Sequence, residues 1–327
     1  MLSTGGTIAS RTDDRGVTRA QDSVSEILAR VQTPPGVTVA GEDVERVGSY
    51  ALTLADMAAL SRRITAALRD PEIDGVVVTH GTDTLEASAF LAQLVHDDRR
   101  PVVFTGAMRA ADVRDSDGPR NLTDAIAVAA SPEAQGLDVV VVFDGEVLPA
   151  VGVRKMHTVG TAAFGAPETG RLGQVHGGAL KTALVPGPAL RARVDTTGLR
   201  GTDLDLDGVR VDIVASYPGA DGELLHAAAA AGARGIVLEG TGAGNATPEI
   251  CKQVSALVDR GVVVAVTTRV LAGPVTPVYG NGGGADLVAA GAVPLTWLRA
   301  PQALVLLASL LATGADVHRI NDVLTVW

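Results

Sequence analysis

Two short stretches of this chain put threonine hydroxyls where an apolar run gives way to glycine. The first is LSTGGTIAS, starting at Leu2 and carrying Thr7; the second is VVVTHGTDTLEASAF, starting at Val76 and carrying Thr82 and Asp83. Paired glycines let a backbone approach a ligand closely, and their N–H groups, with Gly6 among them, can serve as donors. In an open α/β sheet, ligands bind beyond the carboxyl ends of the strands, near the point where strand order reverses. Both hydroxyls would then face one crevice, and Asp83 could cap the following helix, whose N-terminus favours an anion. Gly-Thr and Asp-Thr are ordinary turn and cap residues, so one such turn says little. Two of them, each after a buried-type strand, point to a shared site.

A hydroxyl is a weak nucleophile at neutral pH and needs a neighbouring base. The chain has only three lysines, Lys155, Lys181 and Lys252. Lys155 lies in the otherwise apolar VGVRKMHT, and a lysine, unlike an arginine, can be tuned by burial to act as a base. Position alone leaves a surface lysine equally open. Phosphate binding is poorly supported: neither turn has the G-x4-G-K-[ST] or the G-x-G-x-x-G spacing. The six histidines are scattered, with no H-x3-H or H-E-x-x-H pair, so no metal site is expected. His80 reads as a residue that shapes its turn.

The elements that must hold these residues follow from composition and pattern. Of 327 residues, 46% are hydrophobic and 20% charged, enough for two domains with separate cores. Near-continuous apolar runs, DGVVVTH, PVVFTGAM and LDVVVVFDGEVL, read as strands buried on both faces. They alternate with helix-period stretches, LTLADMAALSRRITAALRD, DTLEASAFLAQLVHD and NLTDAIAVAAS, which implies parallel sheet with right-handed crossovers. RTDDRGVTRAQD is polar, lacks a hydrophobic period and reads as a mobile loop after the first turn. Residues 187–209 turn polar and read as a linker between an N-terminal domain over 1–186 and a smaller α/β domain over 210–327. The expected fold is α/β, a larger doubly wound, mostly parallel sheet domain followed by a smaller α/β domain. A net charge of -10 argues against a nucleic-acid or anionic-membrane surface. Cys251 is the single cysteine, so no intrachain disulfide framework exists. No apolar run reaches a membrane-spanning length, and no basic segment with an apolar core opens the chain; a cytoplasmic protein is the expectation.

TGGTIAS, VVTHGTDTLEASAF, TGAM with SDGPRNLTDAI after it, VRKMHT and GTGAGN occur in the order seen in bacterial-type L-asparaginases, which the chain resembles along nearly its whole length. The resemblance implies hydrolysis of L-asparagine to L-aspartate and ammonia, without metal or organic cofactor, in a homo-oligomer, either dimer or tetramer. It implies that Thr7 is the first catalytic threonine and that Thr82, Asp83 and Lys155 form a Thr–Lys–Asp triad. Ser49 and Asp83 match groups that hold the substrate's α-carboxylate and α-amine. Ala107 matches a position whose backbone carbonyl faces the scissile amide, and Asn245 matches an asparagine that reaches the adjacent subunit's site.

The chain also departs from the family pattern. The loop after Thr7 lacks the tyrosine that many members use to activate that threonine; Val17 or Thr18 falls nearest. Tyr50 stands where a glutamine often follows the serine, and is expected to narrow the pocket and favour asparagine over glutamine. Tyr279 and Gly280 stand where some members donate a glutamate to a neighbour. Two other readings accompany the resemblance: a tRNA amidotransferase-type subunit, and an inactive protein that binds asparagine or aspartate.

Overall fold

A computed structural model describes residues 1–181, 184 and 188–327, in two compact units, Met1–Arg191 and Ala192–Trp327. The first unit is built on an eight-stranded sheet: β1 (Leu2–Gly5), β2 (Glu42–Val47), β3 (Val76–Thr79), β4 (Val102–Thr105), β5 (Val139–Phe143), β6 (Glu146–Pro149), β7 (Gly173–His176) and β8 (Ala179–Lys181). Their spatial order is β8-β7-β6-β5-β4-β3-β1-β2. Strands β2, β1, β3, β4 and β5 pair in parallel, whereas β6, β7 and β8 continue the sheet antiparallel. The chain starts at β1, goes to one side for β2 and returns to the other side for β3. Strand order therefore reverses at β1, and the crevice this creates opens at the carboxyl ends of β1 and β3.

Alternation along the buried strands assigns the two faces. Val76 and Val78 pack with Leu60 and Ile64 of α1 (Leu54–Ala67) and with Leu85 and Ala89 of α2 (Leu85–Val95). Val77 points the other way, into a cluster with Leu122 and Ile126 of α3 (Gly118–Ala129). Both faces are thus covered, the arrangement that lets a central strand be apolar at every position. Helix α1 begins with a reciprocal cap, Thr53 accepting from the Asp56 N–H while Asp56 accepts from that of Thr53.

Two local readings of the sequence change in the structure. LDVVVVFDGEVL is a hairpin, β5 and β6, rather than one strand: Asp144 and Gly145 take positive φ (49° and 79°) in a two-residue turn between paired Phe143 and Glu146. The polar run after Thr7 is a small antiparallel hairpin, Ser10–Thr12 against Thr18–Ala20, whose turn is tied by Asp13 accepting from the N–H groups of Arg15 and Val17. The polar stretch read as a linker begins at Gly187, outside the described residues, and carries α4 (Pro188–Thr196); in the second unit its Val194, Leu199 and Leu206 are buried.

The second unit has its own parallel sheet, β9 (Val211–Ala215), β10 (Gly235–Gly240), β11 (Val263–Thr268) and β12 (Val293–Pro294), in sequential order. One face packs on Leu225, Ile250, Val254, Leu257 and Leu287. The molecule is thus a mixed α/β protein, with a larger, mostly parallel N-terminal sheet and a smaller C-terminal α/β unit. Among the described residues no helix is long and apolar enough to cross a membrane.

Candidate active site

The two Gly-Thr turns meet at the switch point, and glycine is what lets them. Gly6 has φ +75°, and a Cβ there would lie 2.4 Å from Gly81 Cα and 2.5 Å from Gly81 N. A Cβ at Gly81 would in turn lie 2.6 Å from Ser49 Oγ. The Gly6 N–H donates to Val47 O at 3.0 Å and the Ser10 hydroxyl to Gly6 O at 2.7 Å, so the first turn is held on both sides. Thr7 opens a short 3-10 turn, Thr7–Ala9, directly after Gly6.

Thr82, 4% exposed, lies on the second turn, just before α2. Lys155 comes from a two-residue strand, Arg154–Lys155, paired antiparallel with Phe164–Gly165. Its Nζ lies 2.8 Å from Thr82 Oγ1 and 2.7 Å from Asp83 Oδ1. The structure therefore joins the lysine to both residues named with it from sequence, a hydroxyl beside an amine and an amine beside a carboxylate. Ser49 Oγ accepts from the N–H groups of Asp83 (3.2 Å) and Thr84 (3.3 Å), and Ser49 O accepts from the Thr84 hydroxyl at 2.9 Å. Because Ser49 Oγ is an acceptor in these bonds, its own proton remains to donate to a ligand carboxylate.

Gly6, Thr7, Ser49, Tyr50, Thr82, Asp83 and Lys155 line one open pocket of about 620 Å³. Tyr50 stands at its edge, 78% exposed, with its ring over Gly48, where a Cβ would come within 2.4 Å of it. Ala107 is fully buried, with its side chain in the core cluster of α3; the next residue, Met108, lines the pocket. Asn245 belongs to the second unit, at the end of the Thr241–Asn245 turn, where its Oδ1 accepts from the Gly284 N–H at 3.0 Å.

Several residues at this site were missed from sequence. Arg19 of the hairpin, Arg46 of β2 and Thr158 also line the pocket, and so does Thr18, which the sequence places with Val17 nearest the position of the missing loop tyrosine. The arginines carry ion pairs on their own elements, Arg19 with Asp13 at 2.6 Å and Arg46 with Asp43 at 2.7 Å. No motif marks an arginine on a polar hairpin or on an exposed edge strand, so only the fold reveals these two. Asp117 and Asn121 hold the turn after β4. Asp117 accepts from the N–H groups of Met108 (3.0 Å) and Arg109 (2.9 Å); Asn121 Nδ2 donates to Gly106 O at 3.0 Å, and its Oδ1 accepts from the Asp144 N–H at 3.1 Å. The Asp-Gly-Pro start of α3 was the available signal for that pair.

Burial sets the charge state around the site. His80, wholly buried, has its pKa pushed down to about 4 by desolvation, against the opposing pull of the Gly81 carbonyl that pairs with Nδ1 at 2.7 Å. It is a neutral structural ring. Burial pushes the Glu86 carboxyl upward, against the N–H of Lys155 and the charges of Arg154 and Lys155. Among the described residues no group of three or more His, Cys, Asp or Glu side chains could hold a metal ion.

A family model described as Asparaginase, N-terminal, matches residues 1–185, and one described as Glutaminase/Asparaginase C-terminal domain matches residues 210–324. A probable L-asparaginase of Deinococcus radiodurans is 40% identical over 335 residues, covering 99% of this chain and 96% of its own. A glutaminase-asparaginase of Pseudomonas fluorescens biotype A is 31% identical over 282 residues, covering 84% of this chain and 75% of its own. Among solved structures, a probable cytoplasmic L-asparaginase from Campylobacter jejuni is similar with a TM-score of 0.82 at 28% identity, covering 99% of this chain and 97% of its own.

Proposed function

The chain belongs to the asparaginase family, and from that premise we propose that it hydrolyses the side-chain amide of L-asparagine to L-aspartate and ammonia. The observation that carries this reading is the contact of Lys155 Nζ with both Thr82 Oγ1 and Asp83 Oδ1, inside a pocket that Thr7 also lines. In its neutral form Lys155 accepts the proton that Thr82 gives up, directly or from a water that Thr82 holds, and Asp83 orients the amine. Thr7 offers a second hydroxyl from the opposite turn. Attack on the amide carbon gives a tetrahedral intermediate whose oxyanion needs fixed donors; the Gly6 N–H is not one of them, since it is given to Val47 O. The proton returns to the leaving nitrogen, which departs as ammonia; where Thr82 itself attacks, a water then cleaves the aspartyl ester, giving one proton through Lys155 back to the Thr82 oxygen, and L-aspartate leaves. The substrate's α-carboxylate is met by the Ser49 hydroxyl and its α-amine by Asp83. Thr82, Lys155 and Asp83 in mutual contact favour catalysis over a protein that only binds.

The working form in this reading is a homo-oligomer in the cytoplasm, a location supported by the likeness to the Campylobacter jejuni protein. Release of ammonia from L-asparagine by the purified protein tests the reading. Turnover is the expected result; binding of asparagine without ammonia would overturn it in favour of the inactive binder.

A further inference from the structure

Lys155 is gripped from two directions by one stretch of chain. Asp83, just before α2, takes its Nζ; Glu86, in the first turn of α2, accepts the backbone N–H of Lys155 at 2.6 Å. The strand that carries Lys155 has only two residues, extended by one backbone bond from Met156 N–H to Ala163 O at 2.6 Å that closes the loop between them. So short a ladder fixes a backbone weakly, and an amide N–H that gives its hydrogen to a carboxylate is held by a charge-assisted bond about twice as strong as a neutral one. The stem has four rotatable bonds between Cα and the amine, but Nζ has to meet Thr82 Oγ1 and Asp83 Oδ1 at once, and the backbone anchor limits which stem conformers reach both.

We propose that Glu86 is a positioning residue for the amidase reaction: its carboxylate pins the main chain of Lys155 to α2, so that Nζ meets Thr82 and Asp83 together. The inference rests on the reading of Lys155 as the base. Other charges stand near this anchor. Arg154 precedes Lys155 and is buried in an ion pair with Glu168 at 3.6 Å. A role for Glu86 as a counter-charge to Arg154 therefore has to be separated from a role as an acceptor of defined reach.

Three substitutions make that separation. Glu86→Gln keeps the length and an acceptor oxygen but removes the charge; Glu86→Asp keeps the charge but falls short; Glu86→Ala removes both. An error of about 1 Å in catalytic geometry can cost on the order of a hundredfold. Glu86→Ala and Glu86→Asp are thus expected to lose about ten- to a hundredfold in kcat, with KM for asparagine within about threefold. Glu86→Gln is expected to recover turnover to within about fivefold of wild type, because its amide oxygen still accepts. Wild-type kcat in Glu86→Ala would overturn the proposal, and so would an active Glu86→Asp beside an inactive Glu86→Gln, which would assign the effect to charge. If Glu86→Ala does not fold, the Gln and Asp pair decides. A crystal structure of Glu86→Asp gives a readout independent of substrate: Nζ is expected to move beyond about 3.5 Å from Thr82 Oγ1, and an unmoved lysine would reject the positioning role. Absence of ammonia from the wild-type protein would instead defeat the amidase reading and leave that distance to be judged on its own.

Discussion

In the proposed reaction Thr82 and Lys155, in contact at 2.8 Å, share one proton path, so removing either end should have a similar result. Thr82→Ala or Lys155→Met is expected to lower kcat at least about a hundredfold, in the range seen when a general base is lost, while circular dichroism and melting stay near wild type. Near wild-type ammonia release from either variant would remove that residue from the mechanism. His80, one residue before Gly81, affects stability rather than turnover. Its folded pKa of about 4 lies below the unfolded value near 6.5. Above the unfolded value both states are neutral and nothing is lost. As pH falls through the window from about 6.5 to 4, only the unfolded chain gains the proton, and stability drops by up to about 1.4 kcal/mol per pH unit. Melting temperatures measured between pH 7 and 4.5 should fall more steeply for wild type than for His80→Asn; equal slopes would clear His80 of the effect. At Tyr50, sequence and structure give different emphases. The sequence suggests a wall that shortens the pocket, but the ring lies over Gly48 and is 78% exposed. One methylene is worth about 1–3 kcal/mol in a closed pocket, and an exposed ring closes little. We expect kcat/KM for asparagine to exceed that for glutamine by about tenfold or more, a ratio that Tyr50→Gln changes by less than about threefold. Equal efficiencies in wild type would refute the preference, and a collapse of the ratio in the variant would restore Tyr50 as its cause.

At the scale of elements, legibility in the sequence tracked how apolar an element is. β3 and β4 are continuous valine-rich runs buried on both faces, and they stood out. β2, EDVERV, lies at the sheet edge with most of its residues exposed; it has no apolar run and was passed over, and with it Arg46. The hairpin after Thr7 failed for the same reason, since five of its six paired residues are Ser, Arg or Thr, Ala20 being the exception, and its turn is set by the Asp13 side chain. The Thr–Lys–Asp contact was named from motif order but could not be measured, because Lys155 reaches Thr82 across 73 residues of chain. Asp117 and Asn121 show the same limit from another side. Their residue types suggest a helix start, yet what they do is tie the turn at 106–109 to α3 and to the Asp144 turn. Asn121→Ala leaves a buried carbonyl at Gly106 and the N–H of Asp144 without this partner, a loss of about 1–3 kcal/mol per group. A fall in melting temperature together with reduced turnover is expected, since Met108 of the same turn lines the pocket. Unchanged melting in Asn121→Ala would show that the turn holds itself.

On the scale of the molecule, the residues proposed for catalysis all lie in the first unit, while Asn245 lies in the second. The pocket is open, and exposed apolar side chains stand on both units: Tyr50 and Val159 on the first, Val278 and Tyr279 on the second. In the second unit Asn245 is held rather than loose, with Oδ1 bonded to Gly284 N–H at the end of a turn packed so tightly that a Cβ on Gly240 would lie 2.8 Å from the Gly244 carbonyl carbon. A side chain fixed in this way would carry little ordering cost if a second copy's site met it. If each site is completed by Asn245 of a second copy, defects in the two residues must complement each other. Thr82→Ala and Asn245→Ala are each expected to be weak as pure preparations. Reassembled together, they should regain activity, because some sites then combine an intact Thr82 from one copy with an intact Asn245 from another. The recovered turnover should peak near equal mixing and depend on dissociation before mixing. Sedimentation should show the active species as an oligomer. A fully active monomer, or mixtures whose activity never exceeds the average of the two parents, would show that each chain builds its site alone.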